Sequence, residues 1–94
     1  MHAVFTQVSI TDYEAARKML HSDLIPRVKG APGFVAGWWL APLDGKSGSG
    51  VSVEVFESED AARGFVQQFE SQGPPDTTLV TIDSLEVREV AGNA

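Results

Sequence analysis

Cysteine is absent from this sequence of 94 residues, so it can build no disulfide, no thiol nucleophile and no thiolate metal site, and its redox compartment stays open. Basic residues are scarce. Seven of them against thirteen acidic ones give a formal charge of -6, which repels phosphate backbones and anionic lipid surfaces alike. Neither nucleic acid nor a membrane is an expected partner. No run approaches the roughly 18 apolar residues of a membrane span. The start, MHAVFTQVSI, lacks the basic region and long apolar segment of a targeting signal, so a cytoplasmic location is expected. The two histidines, His2 and His21, belong to no H-x-H or H-x-x-x-H pair, and no metal site is expected.

What is present suits one small globular domain spanning 1–94. A hydrophobic fraction of 43% with 21% charged residues is too apolar for disorder. A chain this short buries only about two-thirds of the surface it exposes when unfolded, so its core is thin and association would help it.

Residues 2–9, HAVFTQVS, alternate with Val4, Thr6 and Val8 on one parity and Phe5 and Gln7 on the other, the pattern of a first strand. Thr11 and Glu14 have capping-box spacing, and Tyr13, Ala16, Leu20 and Leu24 then recur at helical spacing. Arg17, Lys18, Arg27 and Lys29 read as solvated residues of this helix and its end. Pro26 lacks the N–H that would reach the Ser22 carbonyl, which predicts a kink or restart before the helix ends near Gly30.

Pro32-Gly33 turns the chain into FVAGWWL, 34–40, a strand apolar on both parities and hence expected to be covered on both faces. A loop of turn formers at 43–50 leads to a third strand, where Val51, Val53 and Val55 alternate with Ser52, Glu54 and Phe56. The loop's DGKSGSG is not a phosphate-binding motif, because Leu40 stands where the Walker pattern needs glycine. Ser58 is an N-cap candidate for a second helix with Ala62, Phe65, Val66 and Phe69 on its apolar stripe, ending before Gly73-Pro74-Pro75. Gly64 interrupts that helix and is expected to let it approach the sheet closely. The last strand, about 78 to 90, changes parity near Asp83-Ser84, which predicts a bulge.

The order is therefore βαββαβ, an α+β domain with two helices over one face of a four-stranded antiparallel sheet. With the valine parity of each strand facing the helices, the open face carries Phe5, Gln7, Ser52, Glu54, Phe56 and one of Trp38 and Trp39. So large an apolar surface predicts a partner. Glu54 is the candidate general base: desolvation would raise its pKa and let it take a proton from an acidic phenol or anthrone-like carbon. Its structural alternatives are an ion pair with Arg88 or a solvated carboxylate. Adjacent strand residues face opposite sides, so one tryptophan packs in a core or interface, while the other either stacks on a flat ligand or packs in the same plain way. Phe5, Gln7 and Phe56 complete the expected substrate-binding set.

IPRVKGAPGFVAGWW followed by GVSVEVFESEDAARGF resembles the antibiotic-biosynthesis-monooxygenase-like group of the dimeric α/β-barrel superfamily, over roughly residues 2 to 90. The resemblance implies a ferredoxin-like subunit that pairs its open sheet face with a second copy, as a homodimer, and keeps a small cavity between its own sheet and helices. It implies a cofactor-independent monooxygenase, or a related enzyme, acting on a small aromatic substrate, with His21 on the helix bordering the pocket as a second catalytic candidate. Oxygenases and haem-degrading members of the group place an Asn and a Trp in the pocket. Here Trp38 or Trp39 could take the Trp place, while the only asparagine is Asn93, in the terminal tail. The alternative is a non-catalytic homodimeric protein that binds a small molecule. Two other βαββαβ classes fit less well. An RNA-recognition module conflicts with the charge and with Glu54, and an amino-acid-sensing ACT-like domain conflicts with SITD where it would want glycine.

Overall fold

In the computed structural model, which describes residues 1–43, 48–72 and 79–94, four strands form one antiparallel sheet. They are β1 (His2–Ile10), β2 (Phe34–Leu40), β3 (Gly48–Phe56) and β4 (Val80–Glu89), in the spatial order β2-β3-β1-β4. Two helical layers cross one face: α1 (Tyr13–Met19), continued by a π-helical stretch (Leu20–Leu24) and α2 (Ile25–Lys29), and then α3 (Glu59–Gln72). This is the ferredoxin-like α+β arrangement that the sequence predicts. Within the loop expected at 43–50, Gly48–Gly50 belong to β3, while 44–47 lie outside the described residues, as does Gly73-Pro74-Pro75.

The register decides what each face carries. Val4 stands opposite Glu54 and Val87, Thr6 opposite Ser52 and Leu85, and Phe5 opposite Val53 and Glu86. Directly opposed residues share a face. Val4, Thr6, Ser52, Glu54 and Phe56 therefore face the helices, and Phe5, Gln7, Val51, Val53 and Val55 face away. The sequence reading was right for Phe5 and Gln7 and wrong for Ser52, Glu54 and Phe56. Valine marks the helix side of β1 and the open side of β3, because β-branching favours a strand without choosing its face.

The core is small: Val4, Phe56 and Ala62 are fully buried, with Phe34, Phe65, Val66, Leu85 and Val87 packed around them. Phe56 joins its neighbours through an edge-on contact to Phe34 at 5.9 Å and a tilted one to Phe65 at 5.2 Å. Gly33 makes the turn into β2 at φ 77°, and a Cβ there would lie 2.7 Å from the Ala61 methyl, so only glycine admits this approach of the turn to α3.

The helix signals are partly redistributed. Asp12, not Thr11, caps α1: its carboxylate accepts from the Ala15 N–H at 3.1 Å. Thr11 bonds instead to the Leu79 carbonyl, through its N–H at 3.0 Å and its hydroxyl at 3.3 Å. Ser58 caps α3 as expected, accepting from the Ala61 N–H at 3.1 Å. Gly64 is exposed with nothing within 4 Å of an added Cβ, so it does not serve a close approach to the sheet. The restart expected at Pro26 takes the form of the π-helical stretch, in which the Ile25 N–H reaches back to the Leu20 carbonyl and Pro26 opens α2. The bulge near Asp83-Ser84 is present: β4 slips against β1 so that Gln7 faces Ser84 and Val8 faces Ile82. The displaced Asp83 carboxylate accepts a hydrogen bond from Ser9 Oγ at 2.6 Å.

Candidate functional site

A cavity of about 400 Å³ lies between the sheet and the helices, away from the packed Phe56 end. Its floor is the helix-facing side of the sheet, with Thr6, Val8, Ser52, Glu54, Trp39 and Ile82. The helices supply its roof, from Tyr13, Leu20 and Leu24 on one side to Phe65 and Phe69 on the other. The size is that of a pocket for one small organic molecule.

Two polar atoms in this mostly apolar wall have no partner. Glu54 is 4% exposed and its Oε2 is buried without a hydrogen bond, and the buried indole N–H of Trp39 likewise has no acceptor. Burial pushes the Glu54 carboxyl up from 4.5 to about 7, against hydrogen bonds from the Ser52 side chain and from its own backbone that pull it down. Burial thus moves this carboxyl toward neutral pH, the range in which a group can both take and return a proton.

Trp39 reaches this position because of Gly37. A Cβ on Gly37 would stand 2.9 Å from Trp39 Cη2 and 3.0 Å from Cζ3, so the indole lies back along its own strand over the glycine. Gly37 is opposite Glu54 in the β2–β3 register, and Trp39 is opposite Ser52. The ring therefore lies along the floor beside the carboxyl.

Of the residues expected to form a site, the structure brings together Glu54, Trp39 and His21, all of which line the cavity. The others are elsewhere. Phe5, Gln7 and Trp38 face the opposite side of the sheet; Gln7 accepts a hydrogen bond from Ser84 Oγ at 3.4 Å, and Trp38 is 55% exposed. Phe56 is sealed in the core with no exposed surface. The anticipated Glu54–Arg88 pair does not form, because Arg88 points to the open face and binds Glu86 at 3.0 Å. Sequence reasoning missed Thr6, Ser52 and Arg17 as lining residues. For Arg17 a signal exists: Tyr13, Arg17 and His21 are spaced by four and share a helix face. Among the described residues no group of three or more His, Asp or Glu side chains is placed to hold a metal ion, and no helix is long and apolar enough to cross a membrane.

No family model and no curated protein matches the sequence. Solved structures do match. The monooxygenase from the gene ActVA-Orf6 of Streptomyces coelicolor, in complex with nanaomycin D, superposes with a TM-score of 0.62 at 12% identity, covering 99% of this chain and 89% of its own. The heme-degrader MhuD from Mycobacterium tuberculosis, with two hemes bound in its active site, gives 0.57 at 23% identity over 97% of this chain and 98% of its own. A dimeric ferredoxin-like protein from an uncultured marine organism gives 0.65 at 10% identity over 99% and 97%. At such identities the likeness is one of fold. This chain has the ferredoxin-like α+β fold shared by these monooxygenase-like and dimeric proteins, the fold that the resemblance in its sequence implies.

Proposed function

We propose that this protein is a cofactor-independent monooxygenase that acts on a small, flat aromatic substrate with an acidic C–H or phenolic O–H, and that it works as a cytoplasmic homodimer. The observation that carries this reading is Glu54, a carboxyl with an unpartnered oxygen and a pKa pushed to about 7 at the floor of an apolar cavity. In the anionic form Oε2 takes the proton from an anthrone-like CH2 group. The resulting carbanion is a strong enough reductant to meet dioxygen directly. Addition of dioxygen gives a peroxide, which takes back the proton held by Glu54, and loss of water from that hydroperoxide leaves the carbonyl. One CH2 and one dioxygen thus become one C=O and one water, with no further reductant.

The apolar wall favours the neutral substrate and keeps its anion short-lived. Trp39 supplies a face for the aromatic rings and an N–H for a developing phenolate or enolate oxygen. His21, on the helical wall, is a second group able to carry a proton. The open sheet face supports the dimer: Phe5, Val51, Val53 and Val55 lie beside Trp38 and Leu40, which are 55% and 56% exposed. A copy of the same face is its natural cover.

The test is anthrone oxidation under dioxygen by the wild type and by Glu54→Gln. Loss of proton transfer predicts a fall in rate of roughly 10²- to 10⁴-fold. Equal rates for the two proteins sink the role of Glu54. No acceleration by the wild type favours a non-catalytic binding protein instead.

A further inference from the structure

Arg17 lies on the helical wall of the cavity and also on an adjoining surface depression that it shares with Tyr13, Glu14, Lys18, His21 and Ser22. It therefore stands where the cavity meets the solvent. The four arginines of the chain are not alike. Arg27 pairs with Asp23 at 3.1 Å, Arg63 with Glu59 at 2.7 Å and Arg88 with Glu86 at 3.0 Å. Arg17 alone has no carboxylate partner among the described residues, although Glu14 shares its depression. In a chain with thirteen acidic and seven basic residues, an arginine left unpaired at the mouth of an apolar cavity is the exception.

The surroundings favour an anion at this place. Arg17, Lys18 and His21 gather basic side chains at the rim beside a single carboxylate, Glu14, and among the described residues Glu54 is the only acidic one on the cavity wall. The chain's charge of -6 repels anions from a distance, so an anionic ligand needs a local basic patch to dock at all. A guanidinium presents paired N–H donors that match the two oxygens of a carboxylate.

We infer that the substrate is an aromatic carboxylic acid, bound with its rings against Trp39 and its reacting carbon toward Glu54, and with its carboxylate held at the mouth by Arg17. The inference rests on the reading of the cavity as a substrate site. Arg17 then decides which aromatic molecules are accepted and how they are oriented.

Isothermal titration calorimetry on the full chain tests this with anthraquinone-2-carboxylate and anthraquinone-2-carboxamide, two ligands of one shape that differ in charge. Neither has a C–H that the cavity could oxidise, so binding is read apart from turnover. The carboxylate is expected to bind the wild type about tenfold more tightly than the carboxamide, a charge-assisted bidentate contact being the difference. Arg17→Gln should remove that preference while leaving the carboxamide affinity unchanged, and Arg17→Lys should restore part of it. Equal affinities in the wild type, an undiminished preference in Arg17→Gln, or binding of neither ligand would overturn the inference. Failure of the wild type to oxidise anthrone would count against the monooxygenase reading and leave this binding result standing.

Discussion

Trp38 and Trp39 are neighbours in one strand, yet they belong to different halves of the molecule. Trp39 lies over Gly37 on the helix-facing side, its N–H buried in the wall of a cavity, whereas Trp38 is 55% exposed on the other face, opposite Val53. The helix-facing side is covered by the chain's own helices, which pack tightly at Phe56 and leave a hollow at Glu54. Among the described residues nothing covers the open side. One apolar surface is enclosed by the chain's own helices around a cavity; the other is left exposed among the described residues. The sheet separates the two surfaces by a single residue of register.

This contrast can be tested from its strongest consequence downward. On the helix-facing side, Glu54 holds its proton more tightly in the folded protein, at about 7, than the unfolded chain does at 4.5. Its stabilising contribution is therefore complete below the lower value and is lost as the pH rises through the upper one, a change of about 3 kcal/mol. Denaturant titrations of wild type and Glu54→Gln between pH 4.5 and 8 should differ by that slope; parallel curves would show that the carboxyl is not desolvated. On the open side, Val53→Lys places a charge at the centre of the apolar patch while leaving the cavity wall untouched. It should weaken self-association by about 2 kcal/mol, roughly 30-fold in the dimer dissociation constant, as read by sedimentation. A wild type that remains a monomer at micromolar concentration would break the comparison at its open half. The smallest effect belongs to the outside of the helical layer, which serves neither side. Gly64→Ala should raise stability by about 1 kcal/mol without altering ligand binding or mass, because a methyl there meets no atom within 4 Å.

Much of the fold is legible in local patterns. β2 occupies 34–40 as its aromatic run predicts, Ser58 caps α3, and the parity change at Asp83-Ser84 is a bulge. Each of these is decided by a few adjacent residues. What local patterns cannot decide is which parity of a strand meets the helices, and Glu54 shows why. The alternation of Ser52, Glu54 and Phe56 with three valines suggests that valine should be inside, but pairing with β1 puts Val53 opposite Phe5. The sequence thus nominates Glu54 and Trp39 through their chemistry, and only the register places them in one cavity with His21. Asp12 and Thr11 show the same limit at smaller scale, since either side chain can cap a helix and the bonds to Leu79 decide between them.

The π-helical stretch before Pro26 carries a consequence for how this domain tolerates change in length. Leu20, His21 and Leu24 of that wide turn border the hollow, while Val28, one turn further on, is almost wholly enclosed. Excising a single amino acid between 20 and 24 would let an ordinary α-helix run through, and everything on one side of the cut would swing by about 100° relative to the other. Either the hollow would lose its border or Val28 would be turned out toward water. The hollow and the enclosed Val28 are in this way geared to each other through one surplus amino acid.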